Sequence, residues 1–363
     1  MAEGGNRRGS KKTVLVGLSG GVDSSVAALL LLEQGYTVIG ATMSVYDGPA
    51  GCSGGNACYD RGEAEDIAAA ASLAESLGIR HLVFDCAEAY KDIVLDYFRK
   101  SYLAGKTPNP CVRCNHMLKF GLLPDLARRS GLAFDYFATG HYARVEFSRD
   151  KSCFLLRRGL DRRKDQSYFL YRLNQEQLRA ALFPLGDMTK GEVRALAAQY
   201  GLPMHDKPDS QDFYSGGHTE LLGMAERPGN IVDAAGTVLG RHAGYWRFTP
   251  GQRRGLGLAA AAPLYVLRVN PERNEVVVGE RAQSLSLGCR VGEIHLHLPL
   301  SSVGADLWAR LRSSQPPLPV TVRPEASGRQ WEVDFSQAQS GVAPGQSLVL
   351  YQEDLVVGGG IIQ

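Results

Sequence analysis

The first third of the sequence alternates apolar runs with helical segments. Residues 13–18 (TVLVGL) form a continuous apolar run typical of a buried parallel strand, and residues 24–35 (SSVAALLLLEQG) follow as a helix that ends at Gly35. The alternation continues as far as FDYFATG, at residues 134–140. Helices between strands indicate an α/β fold with a parallel, doubly wound sheet, in which ligands bind at the carboxyl ends of the strands.

The pattern changes along the chain. Residues 189–201 predict a helix that begins with a capping box of Thr189 and Glu192 and ends at Gly201. Past about residue 228, segments punctuated by glycine alternate apolar and polar residues, which predicts β structure. We therefore expect a flexible basic arm at 1–12, a doubly wound α/β domain at 13–215, a central mostly β domain at 216–283 and a C-terminal β-barrel domain at 284–363.

The amino-acid composition indicates which class of protein this is. Of the 363 residues 44% are hydrophobic and 21% charged, which is typical of a globular chain, and there is no apolar run long enough to span a membrane. Seven cysteines without an export signal predict a cytoplasmic protein with reduced thiols. The net charge is only +2, but RRGLDRRK (157–164) and GQRRG (251–255) are basic. They indicate a bound polyanion or simply a solvated basic surface.

The turn after the first strand carries the sequence VGLSGGVDSS, at residues 16–25. Its glycines let backbone N–H groups surround an anion, its serines add hydroxyl donors, and the positive end of the helix dipole points at the same place. No lysine follows the glycines, so this is not the kinase-type phosphate loop, and the spacing is not that of dinucleotide binders. Asp23, the one acid of the loop, is expected to hold Mg²⁺ on the phosphates.

The S-G-G-x-D-S string resembles the signature of the PP-loop ATP pyrophosphatases, which adenylate a substrate oxygen. Over nearly the whole chain the sequence resembles the MnmA/TrmU family of tRNA-specific 2-thiouridylases. The motifs that carry this resemblance are GLSGGVDSS, TPNPCVRCN..KFG, ATGHYAR, KDQSYFL, KPDSQDF, TPGQRRGLG and PGQSLVLY....GGGII. Only the first is shared broadly with other ATP pyrophosphatases.

The resemblance implies an ATP- and Mg²⁺-dependent enzyme that adenylates the C2 oxygen of the wobble uridine in the anticodon arm of a tRNA and replaces it with sulfur. The sulfur donor would be a cysteine desulfurase relay or inorganic sulfide. The ATP contacts implied are Gly17, Leu18, Ser19, Gly20, Gly21, Val22, Asp23, Ser24, Met43 and Gly140. The residues implied to frame the base are Asn109, Pro110 and Cys111, and those implied to contact the tRNA are His141, Lys164, Asp165, Gln166 and Gln346. Taken alone, Met43 is more typical of a core and His141 of a packed strand end.

Two residues depart from the family pattern. Many members carry Asp where this chain has Cys111, and a second active-site cysteine where this chain has Tyr214. The sulfur chemistry must then use Cys111 and Cys114, in C-x-x-C spacing. Our first hypothesis is a [4Fe-4S] cluster with these two ligands and a third, Cys58 or Cys52.

Two other roles remain open for these cysteines. Cys111 and Cys114 could exchange a persulfide between themselves without a metal, because cysteines at this spacing readily form a disulfide. A structural zinc site of Cys52, Cys58, Cys111 and Cys114 is the third hypothesis, although C-x5-C is wider than usual for zinc.

A rival interpretation is a homologue that binds tRNA without modifying it, as the loss of the second cysteine at Tyr214 would allow. The phosphate loop is intact down to Asp23, which a pure binding module would not need. An amidating ATP pyrophosphatase would need an ammonia source, and the sequence contains no glutaminase segment.

Overall fold

The computed structural model describes residues 11–48, 57–202, 212–214 and 218–363. The strands are β1 (Thr13–Gly17), β2 (Thr37–Ser44), β3 (Ala57–Tyr59), β4 (Arg80–Asp85), β5 (Tyr136–Ala138), β6 (Ala143–Ser148), β7 (Cys153–Arg158), β8 (Ala181–Leu182), β9 (Asp212–Tyr214), β10 (Gly229–Val232), β11 (Val238–His242), β12 (Leu264–Asn270), β13 (Glu275–Glu280), β14 (Leu285–Leu296), β15 (Leu307–Arg310), β16 (Leu318–Pro324), β17 (Trp331–Ser340), β18 (Ser347–Gln352) and β19 (Leu355–Ile362).

The α-helices are α1 (Val22–Glu33), α2 (Glu63–Ser76), α3 (Ala87–Tyr90), α4 (Asp96–Leu103), α5 (Pro110–Arg113), α6 (Leu123–Arg129), α7 (Gln175–Ala180), α8 (Lys190–Gln199) and α9 (His218–Leu222). Two π-helical segments, Lys91–Leu95 and Cys114–Leu122, join α3 to α4 and α5 to α6. Within the described ranges no helix is long and apolar enough to cross a membrane.

A parallel five-stranded sheet in the order β4-β2-β1-β5-β8 forms the first layer of the fold. Successive side chains of β1 point to opposite faces, as in any strand. Val14 and Val16 pack with residues of α1, α2 and α8, whereas Leu15 packs with residues of α6 on the other face. Helices on both faces confirm the predicted doubly wound sheet.

A β-barrel forms the C-terminal end of the chain. Its strands follow the antiparallel order β14-β17-β16-β15-β18-β19, and β19 pairs back with β14, which closes the ring. The interior is apolar and includes Trp331, Val333 and Leu350. Closure leaves no open edge within the ring, and the predicted C-terminal barrel is confirmed.

The hairpin of β6 and β7 links two of the predicted domains. It lies within the segment 13–215, yet β7 pairs with β19 and extends the sheet of the barrel. Asp354 fastens the junction, because its carboxylate accepts hydrogen bonds from Arg144 and Arg157, both at 2.6 Å. Local strand patterns do not encode this pairing between distant segments.

A smaller sheet in the order β11-β10-β13-β12 is formed by the part of the chain between α9 and the barrel. Its apolar face packs Trp246 and Val266 with Phe98 and Tyr102 of α4, so this sheet supports the helix that precedes the two cysteines. The capping box predicted for α8 is present: Thr189 accepts from the backbone N–H of Glu192, and the Glu192 carboxylate accepts in return.

Candidate functional site at the strand ends

The predicted phosphate loop lies between β1 and α1. Gly21 is the N-cap of α1 and no side chain caps the first turn of this helix. The Ser24 hydroxyl accepts a hydrogen bond from the backbone N–H of Ser19 at 3.2 Å, which draws the loop into a compact turn. Gly20 has φ +68°, and a side chain there would overlap the backbone carbonyl of Asp66. The turn therefore presents a helix N-terminus that suits an anion.

Three neighbouring strands bring the predicted ATP contacts to one edge of the sheet. Met43 lies near the end of β2, the loop from Gly17 to Ser24 follows β1, and Gly140 follows β5. A methyl group on Gly140 would lie 2.6 Å from the carbonyl carbon of Asp23, so these two segments touch. Met43 also packs against two apolar clusters, which agrees equally with a core role.

Asp23 makes contacts that sequence reasoning missed. Its carboxylate accepts hydrogen bonds from Lys190 Nζ, at 2.7 Å and 2.9 Å, and from the Tyr142 hydroxyl at 2.8 Å. Lys190 lies in the first turn of α8, a segment in which the sequence drew attention only to the capping residues. Asp23, which we expected to hold Mg²⁺, is thus paired with a lysine.

The two cysteines lie on one helical segment. Asn109 is the N-cap of α5, where its side chain accepts from the Val112 N–H at 3.3 Å, and Pro110 takes the first helical position, which suits proline. Cys111 is half-buried, whereas Cys114 is buried and begins a π-helical segment. Such segments often occur at functional sites.

The C-terminal barrel holds the loop before these cysteines. The backbone N–H of Thr107 donates to the Pro344 carbonyl at 2.7 Å, and Gln346 Nε2 donates to the Pro108 carbonyl at 3.3 Å. Gln346, which the resemblance implied as a tRNA contact, therefore also positions the loop that leads to Cys111.

The surroundings of the cysteines shift their acidity. Burial raises the pKa of the Cys114 thiol to about 11, against an opposing influence of Lys119. Burial lowers the pKa of Lys119, but the charges of the Cys58, Cys114 and Cys111 thiolates raise it by more. The pKa of Lys119 is therefore above its usual value. Lys119 was not singled out from the sequence, and it is within electrostatic range of all three cysteines.

Tyr214 and Cys58 come together through a short parallel pairing of β3 with β9. Tyr59 pairs with Tyr214 in this ladder, and their rings are 6.1 Å apart. The exposed Cys58 precedes Tyr59, so its backbone lies beside the position of the missing second cysteine, while its side chain points to the opposite face from that of Tyr59. Burial, and then a hydrogen bond to Glu220, raise the pKa of Tyr214 to about 12, which keeps its hydroxyl protonated at neutral pH.

The described residues do not bring three cysteine, histidine or acidic ligands together. Among them no group of three His, Cys, Asp or Glu side chains is arranged to hold a metal ion. Cys52, the other predicted ligand, lies outside the described residues. The described part of the chain therefore does not offer the donor set expected for a cluster or a zinc ion.

His141 is packed at the end of β5. Its Nδ1 is 2.8 Å from the Thr139 hydroxyl, and its ring centroid is 6.1 Å from that of Phe120. Burial, and then the charge of Lys119, lower the pKa of His141 to about 3. The imidazole is neutral at physiological pH and can both donate and accept a hydrogen bond.

Asp165, which the resemblance implied as a tRNA contact, has a fully buried side chain that accepts hydrogen bonds from Arg310 at 2.9 Å and Arg158 at 3.1 Å. These bonds fix the loop that carries its neighbours. Its neighbours Lys164 and Gln166 are only partly buried. Gln166 Oε1 accepts from the backbone N–H of Tyr142 at 2.9 Å, which ties this loop to the strand that follows His141.

The basic stretches divide into paired and exposed residues. Arg157 forms ion pairs with Glu146 and Asp354. The exposed arginines of the two stretches are Arg162, Arg163, Arg253 and Arg254. These four side chains are available to a polyanion.

Comparison with known families agrees with this architecture. Successive parts of the chain match family models described as a tRNA methyl transferase HUP domain (residues 12–214), a tRNA methyl transferase PRC-barrel domain (residues 222–280) and an aminomethyltransferase beta-barrel domain (residues 286–362). Among solved structures, NMN synthetase from Francisella tularensis is similar at 19% identity, over 57% of this chain and 69% of that one, with a TM-score of 0.34. A likeness this remote carries no further weight.

Relatives of known name align over almost the full length. The tRNA-specific 2-thiouridylase MnmA of Endomicrobium trichonymphae is 44% identical over 96% of this chain and 98% of its own. The proteins of the same name from Thermosynechococcus vestitus (44%, covering 96% and 94%) and Carboxydothermus hydrogenoformans (43%, covering 97% and 98%) are similarly close. The chain therefore belongs to the MnmA family of tRNA-specific 2-thiouridylases.

Proposed function

We propose that this protein is a tRNA-uridine 2-sulfurtransferase, which uses ATP to activate the C2 oxygen of the wobble uridine and replaces that oxygen with sulfur. The observation that carries the proposal is the full-length similarity to proteins named tRNA-specific 2-thiouridylase. Since tRNA and reduced thiols are both found in the cytoplasm, we propose that it acts there.

The phosphate loop is the proposed ATP site. The uncapped start of α1 and the glycines of the loop favour the binding of phosphate oxygens. The carboxylate of Asp23 and the hydroxyls of Ser19 and Ser24 are oxygen donors of the kind that Mg²⁺ prefers, so these residues fit the ion. Mg²⁺ would neutralise phosphate charge as pyrophosphate leaves.

The anticodon arm is proposed to dock over the exposed arginines, including Arg162 and Arg163, because such contacts with phosphates supply most of the affinity for a nucleic acid. The wobble uridine must leave its stack to react, and we propose that it enters beside Asn109 and Pro110. The neutral imidazole of His141 would offer a hydrogen bond, and Lys164, Gln166 and Gln346 would add polar contacts.

We propose that Cys111 carries the sulfur, because it is the more accessible of the two cysteines. A cysteine desulfurase relay first transfers the outer sulfur of its own persulfide to the Cys111 thiolate and is left with a thiol. The terminal sulfur of the Cys111 persulfide then attacks C2, and AMP leaves with the original oxygen. The Cys114 thiol then attacks the Cys111 sulfur, which forms a Cys111–Cys114 disulfide and releases 2-thiouridine. An external dithiol must supply two electrons to reduce that disulfide before the next turnover.

The cluster-dependent route remains a prediction. It requires Cys111, Cys114 and a third ligand such as Cys58, and the described residues do not bring three donors together, so we derive no step through a cluster. Iron and acid-labile sulfide measured in protein purified without oxygen test this route. About one cluster per chain, lost in Cys58→Ala but kept in Cys289→Ala, would replace the persulfide route.

The function itself is tested with purified protein, unmodified tRNA, Mg²⁺-ATP, a dithiol and one of two sulfur donors. A cysteine desulfurase with cysteine supplies the persulfide route, and inorganic sulfide, which cannot form a persulfide on a reduced thiol, supplies only the cluster route. We expect one AMP and one pyrophosphate for each 2-thiouridine found by nucleoside mass spectrometry, and no 2-thiouridine with Cys111→Ser. Binding of tRNA without AMP or 2-thiouridine would contradict the proposal and favour the non-catalytic homologue. AMP without 2-thiouridine from either donor would contradict the sulfur step.

A further inference from the structure

A buried lysine from a distant segment meets the acid of the phosphate loop. Lys190 Nζ is 2.7 Å and 2.9 Å from the two carboxylate oxygens of Asp23, although the residues are 167 positions apart in sequence. The lysine side chain is only 10% exposed, whereas that of Asp23 is 29% exposed. Solvent and solutes therefore reach the carboxylate more readily than the ammonium group.

Lys190 is anchored separately at its backbone, and its ammonium group also lies 6.0 Å from the centroid of the Tyr142 ring. Its backbone N–H donates to Asp161 Oδ2 at 3.1 Å, which anchors the start of α8. The Tyr142 hydroxyl donates to Asp23 Oδ1 at 2.8 Å, so the carboxylate has one neutral donor besides the lysine. The lysine stem is long and rotatable, and its head is a compact charge.

The loop needs a positive charge that its own sequence lacks. In kinase-type phosphate loops a lysine within the loop reaches the phosphates, but here no lysine follows the glycines. Asp23 lies in the first turn of α1, two residues after the N-cap Gly21. The ammonium of Lys190, held on that carboxylate, is thus at the edge of the proposed phosphate site.

We propose that Lys190 is a displaceable cation of the nucleotide site: it pairs with Asp23 until a divalent metal ion claims the carboxylate, and its ammonium then turns to the phosphate oxygens. The inference rests on the proposed ATP site. Every charge keeps a partner of opposite sign in this exchange. The metal ion takes the place of the lysine beside Asp23, and the phosphates take the place of Asp23 beside the lysine. A lysine and a divalent cation therefore compete for the one acid of the loop.

The competition predicts that a variant without the lysine charge binds a divalent metal ion more tightly and ATP more weakly. Lys190→Met keeps the stem and the backbone hydrogen bond but removes the charge. We expect it to bind Mn²⁺, measured by electron paramagnetic resonance without nucleotide, at least tenfold more tightly than the wild type. It should bind Mg²⁺-ATP, measured by calorimetry without tRNA, at least tenfold more weakly, and Lys190→Arg should recover part of the ATP affinity.

Two controls separate this role from a structural one. Tyr142→Phe removes the neutral donor from Asp23 and should change Mn²⁺ affinity less than Lys190→Met does. In Asp23→Asn/Lys190→Met the gain in Mn²⁺ affinity should disappear. Thermal melting of each variant establishes that it folds.

The outcomes are distinct. Unchanged or weaker Mn²⁺ binding by folded Lys190→Met would overturn the competition, and unchanged ATP affinity would overturn the phosphate contact. If the wild type fails to bind Mg²⁺-ATP at all, the proposed ATP site is wrong, while the Mn²⁺ comparison still decides whether Lys190 controls Asp23. Tighter Mn²⁺ binding with weaker ATP binding supports the inference.

Discussion

Gly140 packs directly against Asp23: a methyl group at Gly140 would lie 2.6 Å from the Asp23 carbonyl carbon and 2.7 Å from the Ser24 nitrogen. Both are backbone atoms, which cannot rotate away as the end of a side chain can. The end of β5 therefore holds the start of α1 in place, and with it the loop that precedes this helix.

The substitution Gly140→Ala should displace that loop. We expect at least a tenfold loss of ATP affinity by calorimetry and a fall of about 1–3 kcal/mol in the free energy of unfolding, because backbone must move to admit the methyl group. Gly191→Ala is the matched control. Its methyl group would meet only Thr189 Oγ1 at 3.9 Å, so it should keep ATP affinity and stabilise α8 by up to about 1 kcal/mol. Wild-type ATP affinity in Gly140→Ala would show that this packing does not shape the site.

The tyrosine at the position of the missing cysteine should act through its ring. Tyr214 contacts the ring of Tyr59, and its hydroxyl stays protonated well above neutral pH. Tyr214→Phe keeps the ring and should retain 2-thiouridine formation within about twofold. Tyr214→Ala should lower the free energy of unfolding by about 1–3 kcal/mol in a denaturant titration, because it removes the ring contact. Loss of thiolation in a folded Tyr214→Phe protein would instead assign chemistry to the hydroxyl.

The exposed arginines near the predicted tRNA contacts should contribute to the salt dependence of tRNA binding. We expect the double substitution Arg162→Ala/Arg163→Ala to weaken tRNA binding and to reduce the slope of log K against log salt by about 1–2, since each lost phosphate contact removes about 0.7–0.9. The slope is measured by filter binding between about 50 and 200 mM salt, the range over which such phosphate contacts weaken. Arg329→Ala, an exposed arginine beside β17 of the barrel, is the control. An unchanged slope in the double variant would exclude these arginines from the interface.

The cysteines should react with an alkylating agent in a fixed order, because only the thiolate is nucleophilic. Burial raises the pKa of Cys114 to about 11 and that of Cys289 to about 12. At pH 7.5 the exposed Cys58 and half-exposed Cys111 should be labelled well before both of these, as read by peptide mass spectrometry. The rate at Cys114 should rise about tenfold per pH unit up to about pH 11. Labelling of Cys114 before Cys111 at neutral pH would contradict this arrangement and exchange their proposed roles.

The sequence by itself determined the features that depend on neighbouring residues. The period of the apolar runs determined the parallel sheet and the β-rich C-terminal end, because a strand or helix buries its side chains with a fixed repeat. The string from Gly17 to Ser24 determined the turn between β1 and α1. Thr189 and Glu192 determined the start of α8, since both partners of the capping box are three residues apart. Motifs over the whole length determined the family.

Only the tertiary structure decided which distant residues meet. It brought Lys190 to Asp23, set Cys58 beside Tyr214, and joined β7 to β19 of the barrel. It also buried the side chain of Asp165 between Arg158 and Arg310, an arrangement that the motif around Asp165 does not reveal. These pairings follow from how whole elements pack, and no local period or spacing records them. The chemistry of the site depends on them because the charge beside each acid and each thiol comes from another segment of the chain.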